Sequence, residues 1–214
     1  MSRVVELRRV MELEVVLVEI APAVRRRIAL EADRSLSDLH RAVQAAMGWH
    51  DVHAHRFRSG ERLLGVPGTL PDTEDQQGIR VEDLLRSRGD RIEYLYDPRD
   101  AWLHEIRLER LRPARPEEVL PACLEGERSC PPESCGGPRA YAELVADLSQ
   151  PESAAGRRAH QWLGGFFFPS CSTWPRRIAG WRRPFATEKA VEKGSKEVAR
   201  PAVRPLPVQN PGDG

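Results

Sequence analysis

The stretch Met11–Trp49, MELEVVLVEIAPAVRRRIALEADRSLSDLHRAVQAAMGW, decides the fold. Met11, Leu13, Val15 and Leu17 recur at period two with Glu12 and Glu14 between them, the pattern of a strand with one buried face. After a turn at Ala21–Ala23, Val24, Arg26, Ile28 and Leu30 alternate with Arg25, Arg27 and Ala29, which predicts an antiparallel hairpin with one basic face. Ser35, followed three residues later by Asp38, then opens a helix. Leu36, Leu39, Val43, Ala46 and Met47 fall at helical spacing along it, and Gly48 stops it.

Downstream, His53, His55 and Phe57 alternate on one strand face before a polar, Pro/Gly-rich stretch that runs to about Gly78. VEDLLRSRG reads as a short helix closed by Gly89. RIEYLYD and WLHEIRLERL form two strands joined at DPRD, aligning Ile92, Tyr94 and Tyr96 on one and Trp102, His104, Ile106 and Leu108 on the other. A loop with three cysteines follows, and two helices separated at Pro151 complete the pattern. The class is α+β: an antiparallel or mixed sheet of about five strands, with a hairpin–helix start in β-grasp-like order and C-terminal helices packed on it.

The 40% apolar content of the 214 residues supports one domain, placed at residues 1–165. The formal charge of +1 hides an asymmetry, because residues 166–214 carry a net +5 and residues 1–165 therefore a net −4. A mildly acidic body lacks the concentrated basic surface that generic nucleic-acid binding requires. No run approaches the roughly 18 apolar residues of a membrane span. Four cysteines at irregular positions, with no apolar leader, predict reduced thiols in a cytoplasm.

Two clusters carry candidate chemistry. Cys123, Cys130 and Cys135, with His104 on a predicted strand, supply the ligand types of a Cys3His zinc site, although C-x6-C-x4-C is not the paired C-x2-C knuckle; packed free thiols or an adventitious disulfide are the competing assignment. His53 and His55, two apart on one strand face, form with Asp97, Asp100 and His104 a candidate polar cluster for a metal or for acid/base chemistry. Neither a nucleophile with its base nor a glycine-rich phosphate loop accompanies them, so histidines satisfied at a sheet edge are the competing assignment. Arg25 and Arg27 are the candidate basic contact, against a solvated strand face. No cofactor is expected.

Four stretches taken together, LHRAVQAAMGWHDVHAHRF, YLYDPRDAWLHEI, CLEGERSCPPESCGG with YAELVADL, and WLGG, resemble the plasmid pRiA4b ORF-3-like family over about residues 10–165. The resemblance implies a mixed α+β domain, sometimes carried as a passenger of mobile elements, with no catalytic residues to transfer. The family usually has an aromatic residue at Arg25, Phe at Pro98 and Gly at Arg99, so the turn over Asp97–Asp100 needs another geometry here. It often has an apolar residue at Cys135, which weighs against a structural ligand there.

In the family WLGG usually continues as DFDPxxFDL and a helix, whereas this chain continues FFFPSCSTWPRRIAGWRRPFAT. Back-translated from Pro169 with GC-rich codons and read from each third base, the segment permits PVVFDLAAANRRLAAAVRD before a stop, restoring PxxFDL and an amphipathic helix. The first 165 residues contain no lysine, yet Lys189, Lys193 and Lys196 fall within eight residues of one another. The expectation is a frameshift near Phe166, with residues 166–214 a disordered tail; a natural low-complexity tail with seven prolines is the alternative. The functional expectation is a non-enzymatic interaction module or mobile-element accessory with a protein partner and no membrane. A nucleic-acid-binding protein and a metal-dependent enzyme using the His/Asp cluster are the alternatives.

Overall fold

The computed structural model describes residues 8–164. The elements are β1 (Arg9–Leu17), β2 (Arg25–Glu31), α1 (Leu36–Met47), β3 (His55–Ser59), β4 (Arg62–Gly65), β5 (Glu74–Asp75), α2 (Val81–Leu84), β6 (Arg91–Tyr96), β7 (Trp102–Pro113), β8 (Ala122–Glu127), α3 (Gly137–Leu148) and α4 (Ala154–Trp162). One mixed sheet runs in the order β5-β4-β3-β6-β7-β1-β2-β8, antiparallel everywhere except between β4 and β5.

The sheet of about five strands expected from the sequence is thus corrected to eight. The hairpin–helix start is present, but β1 pairs on its other side with β7. The added strands are short or peripheral. β4 and β5 have four and two residues, too few to display a period, and β4 follows β3 across the two-residue turn Gly60–Glu61 with Gly60 at φ +58°. β8 is an edge strand in which only Cys123 is buried, so its composition reads as loop. The segment after Phe166 and its proposed frame lie outside the described residues.

Period two divides the faces of the sheet. Met11, Leu13, Val15, Leu17, Ile28, Leu30, Phe57, Tyr94, Tyr96, Trp102, Ile106 and Leu108 are all buried. At about 1.5–3 kcal/mol for each large apolar side chain, they and the helix residues above them drive folding. α1 lies over β2 on this side. It begins with a capping box between Ser35 and Asp38 and ends at Gly48 with φ +77°, where a left-handed backbone closes the helix. α3 reaches the same layer through Tyr141, whose ring meets Trp102 edge-on at 6.5 Å.

The opposite face is a lattice of arginine and glutamate. Arg58–Glu93 joins β3 to β6 at 3.4 Å, Arg91–Glu105 joins β6 to β7 at 3.3 Å, and Arg107–Glu14 joins β7 to β1 at 2.5 Å. Arg25–Glu14 and Arg27–Glu12 then join β1 to β2 at 3.5 and 2.9 Å, and Arg27–Glu125 carries the pattern to β8 at 3.3 Å. Every junction from β3 to β8 therefore has a cross-strand ion pair. Each exposed pair contributes only about 0–1 kcal/mol, but the alternation of sign fixes which residues face each other.

Arg26, between these two lattice arginines, points the other way and is 2% exposed. Its guanidinium donates to the carbonyls of Ala46, Arg25, Glu127 and Arg128 and to Cys130 Sγ, at 2.6–3.0 Å. The last turn of α1 contains no basic residue of its own. Arg26 supplies that cation from β2, against the negative end of the helix dipole, while tying β8 and the loop beyond it to the core.

The β6–β7 turn explains how the chain manages without a glycine at Arg99. Positive φ falls instead on Asp97, at 49°, and Ala101, at 56°. Asp97 Oδ1 accepts from the backbone N–H groups of Arg99 and Asp100 at 3.1 and 3.4 Å, and Ala101 N–H donates to the Asp97 carbonyl at 2.6 Å.

Candidate functional site

The buried surface of α1 is broader than its apolar stripe, for it includes His40 and Gln44, one turn apart. Both reach Tyr94 on β6: Gln44 Nε2 donates to the phenol oxygen at 2.9 Å, and His40 Nδ1 lies 2.7 Å from it. His40 Nε2 lies 2.8 Å from Asp51 Oδ1. An ionised carboxylate only accepts, so Nε2 carries the proton; Nδ1 of the neutral ring then accepts from the Tyr94 hydroxyl. Asp51 N–H donates to Gln44 Oε1 at 3.1 Å and closes the ring of four residues. Every polar group in that ring has a partner.

His55 opens β3 beside it. The His40 and His55 rings stack with centroids 3.6 Å apart and planes 9° from parallel. His55 Nε2 is 3.2 Å from Gln76 Oε1, and Gln76 Nε2 donates to Ser37 Oγ at 3.1 Å, which ties β3, the segment after β5 and the first turn of α1 together. Burial, followed by the neighbouring His55, pushes His40 down to about 4, outweighing Asp51. Burial also lowers His55, against the pull of Gln76 and Asp51. Both rings are therefore neutral at pH 7, and two neutral rings can stack where two cations would repel.

A second loop sets the position of Asp51. Glu133 accepts from the Tyr96 hydroxyl at 2.5 Å and from His50 N–H at 2.9 Å, while Tyr96 accepts from Val52 N–H at 3.1 Å. Trp49 Nε1 donates to the Pro131 carbonyl at 2.8 Å. The CPPESCGG loop thus clamps the residues between α1 and β3. Asp51 has φ +56° and its side chain is half exposed. It stands at the mouth of a cleft of about 540 Å³ lined by Ser37, His40, Asp51, His53, His55 and Gln76, with Val52 and Val66 on its rim.

The residues singled out from sequence are distributed differently. His53 precedes β3 and pairs with Asp97 at 3.3 Å and Ser134 Oγ at 3.1 Å, whereas His55 turns to His40. Asp100 accepts from Gly136 N–H at 2.9 Å. His104 is fully buried, its Nδ1 within 3.0–3.2 Å of the Trp102 and Tyr94 carbonyls, and burial pushes it down to about 4. His53 and Asp97 are brought together; Asp100 and His104 hold separate structural positions.

Cys123, Cys130 and Cys135 are free thiols, pushed up by burial to about 11, 12 and 12. Cys123 donates to Glu125 O at 3.4 Å and Cys130 to Met47 Sδ at 3.1 Å. Among the described residues they form no metal-sized group with His104; the one such group is His40, Asp51 and His55. Arg25 and Arg27 belong to the neutralised lattice. Sequence reasoning missed His40, Asp51, Gln44, Tyr94 and Gln76 as site residues. The available signal was His40 and Gln44, two polar residues one turn apart among the apolar positions of the buried side of α1.

No helix among the described residues is long and apolar enough to cross a membrane. The uncharacterized protein y4hQ of Sinorhizobium fredii is 34% identical over 170 residues, which span 76% of this chain and 85% of that protein. A crystal structure of a protein of unknown function, MM3350, from Methanosarcina mazei Go1 is similar with a TM-score of 0.72 and 27% identity, covering 78% of this chain and 97% of that one. The family model described as plasmid pRiA4b ORF-3-like protein matches residues 9–173. The chain belongs to the plasmid pRiA4b ORF-3-like protein family.

Proposed function

We propose that the protein is a non-enzymatic interaction module whose working surface is the cleft between α1 and the start of β3. The observation that carries this reading is the contrast between the wall and the rim of the cleft. Its wall is polar and internally hydrogen-bonded, since the His40–Tyr94–Gln44–Asp51 ring closes on itself. Its rim carries Val52 and Val66, which are 56% and 45% exposed and offer apolar contact to an incoming group. Ser37, which lines the cleft, accepts from Gln76 and has no histidine base among its described hydrogen bonds. The matched Arg–Glu lattice favours a protein or small polar ligand over nucleic acid, because Arg25 and Arg27 already face carboxylates.

A role as a mobile-element accessory rests on the family resemblance, and the out-of-frame origin of residues 166–214 on the codon reading. The encoding DNA tests the latter: codons for Phe166–Ala186 that open no helix in another frame remove it. For the cleft, the frame-restored chain and its V52D/V66D variant are used as bait in lysate of the source organism. A partner retained by the first and lost from the second supports the assignment; the same set on both sinks it.

A further inference from the structure

We propose that His40, Asp51 and His55 form a binding site for a single divalent transition-metal ion, with zinc-like preference, at the base of the cleft. This deepens the cleft reading and rests on it. The three side chains come from a helix, the loop after it and a strand, and each brings one donor atom to within 4.8 Å of the other two. Two imidazoles and a carboxylate suit zinc and its neighbours, and the half-exposed Asp51 leaves the open side of the site to water or to a ligand in the cleft.

The groups behind the donors are those a metal site needs. Tyr94, itself held by Gln44, stands 2.7 Å behind His40 Nδ1. When Nε2 takes the metal, its proton is placed on Nδ1 and donated to the phenol oxygen, so the buried ring stays neutral. Gln76 fixes the proton of His55 on Nε2, which leaves Nδ1 as the free donor of that ring.

Binding an ion requires the donors and both rings to adjust. Metal–ligand bonds of about 2.0–2.2 Å place donor atoms roughly 3–3.6 Å apart, so His40 Nε2 and Asp51 Oδ1, now 2.8 Å apart, open slightly while the His55 donor closes in from within 4.8 Å. Parallel rings also direct their lone pairs alongside one another, so metal binding splays the 9° stack. Asp51 can move to meet the ion because it sits on a loop with half its side chain in solvent.

The test uses the untagged full chain stripped with chelator and titrated with Co²⁺, a visible-absorbing stand-in for zinc. One Co²⁺ per chain is expected, with d–d bands of nitrogen and oxygen coordination. D51N keeps a hydrogen-bond acceptor for His40 and tolerates the positive φ, so it should fold as wild type while binding about a hundredfold more weakly. H55F, chosen to preserve ring stacking, should lose binding to a similar degree. Unchanged Co²⁺ affinity in both folded variants, no binding by wild type, or intense thiolate charge-transfer bands reporting the cysteines would each overturn the assignment. Failure here with partner capture still dependent on Val52 and Val66 would remove the metal and leave the cleft.

Discussion

His40 on α1 and His55 on β3 stack face to face, 3.6 Å between ring centroids, and this contact joins the helix to the strand across the floor of the cleft. It is sustained by Tyr94 and Gln44 behind His40 and by Gln76 behind His55.

Tyr94→Phe removes the hydroxyl that both His40 and Gln44 use, leaving two buried polar groups without it. The expected loss of stability is about 1–3 kcal/mol, read as a lower urea midpoint with an unchanged slope. Gln44→Leu should cost less in the Tyr94→Phe background than in wild type, because both changes break the same ring.

His104 makes stability depend on pH. Its folded value is pushed down by burial to about 4 from an ordinary 6.5, so between those values the unfolded chain holds a proton that the folded chain does not. The stabilisation is fully present above pH 6.5 and is lost as pH falls towards 4, a change on the order of 3 kcal/mol. His104→Asn should be less stable at neutral pH but show a shallower loss over that window in denaturant titrations.

Ala101 occupies left-handed backbone at φ +56° and is exposed, so its side chain costs energy and packs against little. Ala101→Gly should stabilise by about 1 kcal/mol, a rise in Tm of roughly 2–4 °C. Arg99→Gly, at the position where the family has glycine, should give no such gain because Arg99 is not among the residues with positive φ.

Arg26→Met keeps much of the side chain's length but strips the carbonyls of Ala46, Glu127 and Arg128 of a donor. A loss of about 2–4 kcal/mol is expected, with hydrogen exchange rising first at the end of α1 and along β8. Arg25→Met, on the exposed lattice, should change stability by less than about 1 kcal/mol.

The elements legible in the sequence were those long enough to repeat. The β1–β2 hairpin, α1 with its Ser35 cap and the β6–β7 pair each run through several periods, and all are present. β4 and β5 span only four and two residues, and β8 is buried at one position only. The candidate site was half legible. Spacing from His53 points to His55, but His53 lies before the strand begins and bonds elsewhere. The partner of His55 comes from α1, and pairing between distant elements leaves no mark on local period. Arg26 illustrates the converse: alternation placed it with Val24, Ile28 and Leu30, while the carbonyls that accept its charge lie on other elements.

The cation in each cross-strand pair of the outer sheet face is a guanidinium, and the described residues contain no primary amine on any side chain. Acetylating or other acylating reagents therefore have no lysine there to modify, and alkaline solution short of about pH 12 leaves those cations charged. Only acid, by protonating the glutamates, turns this balanced surface into a repelling one.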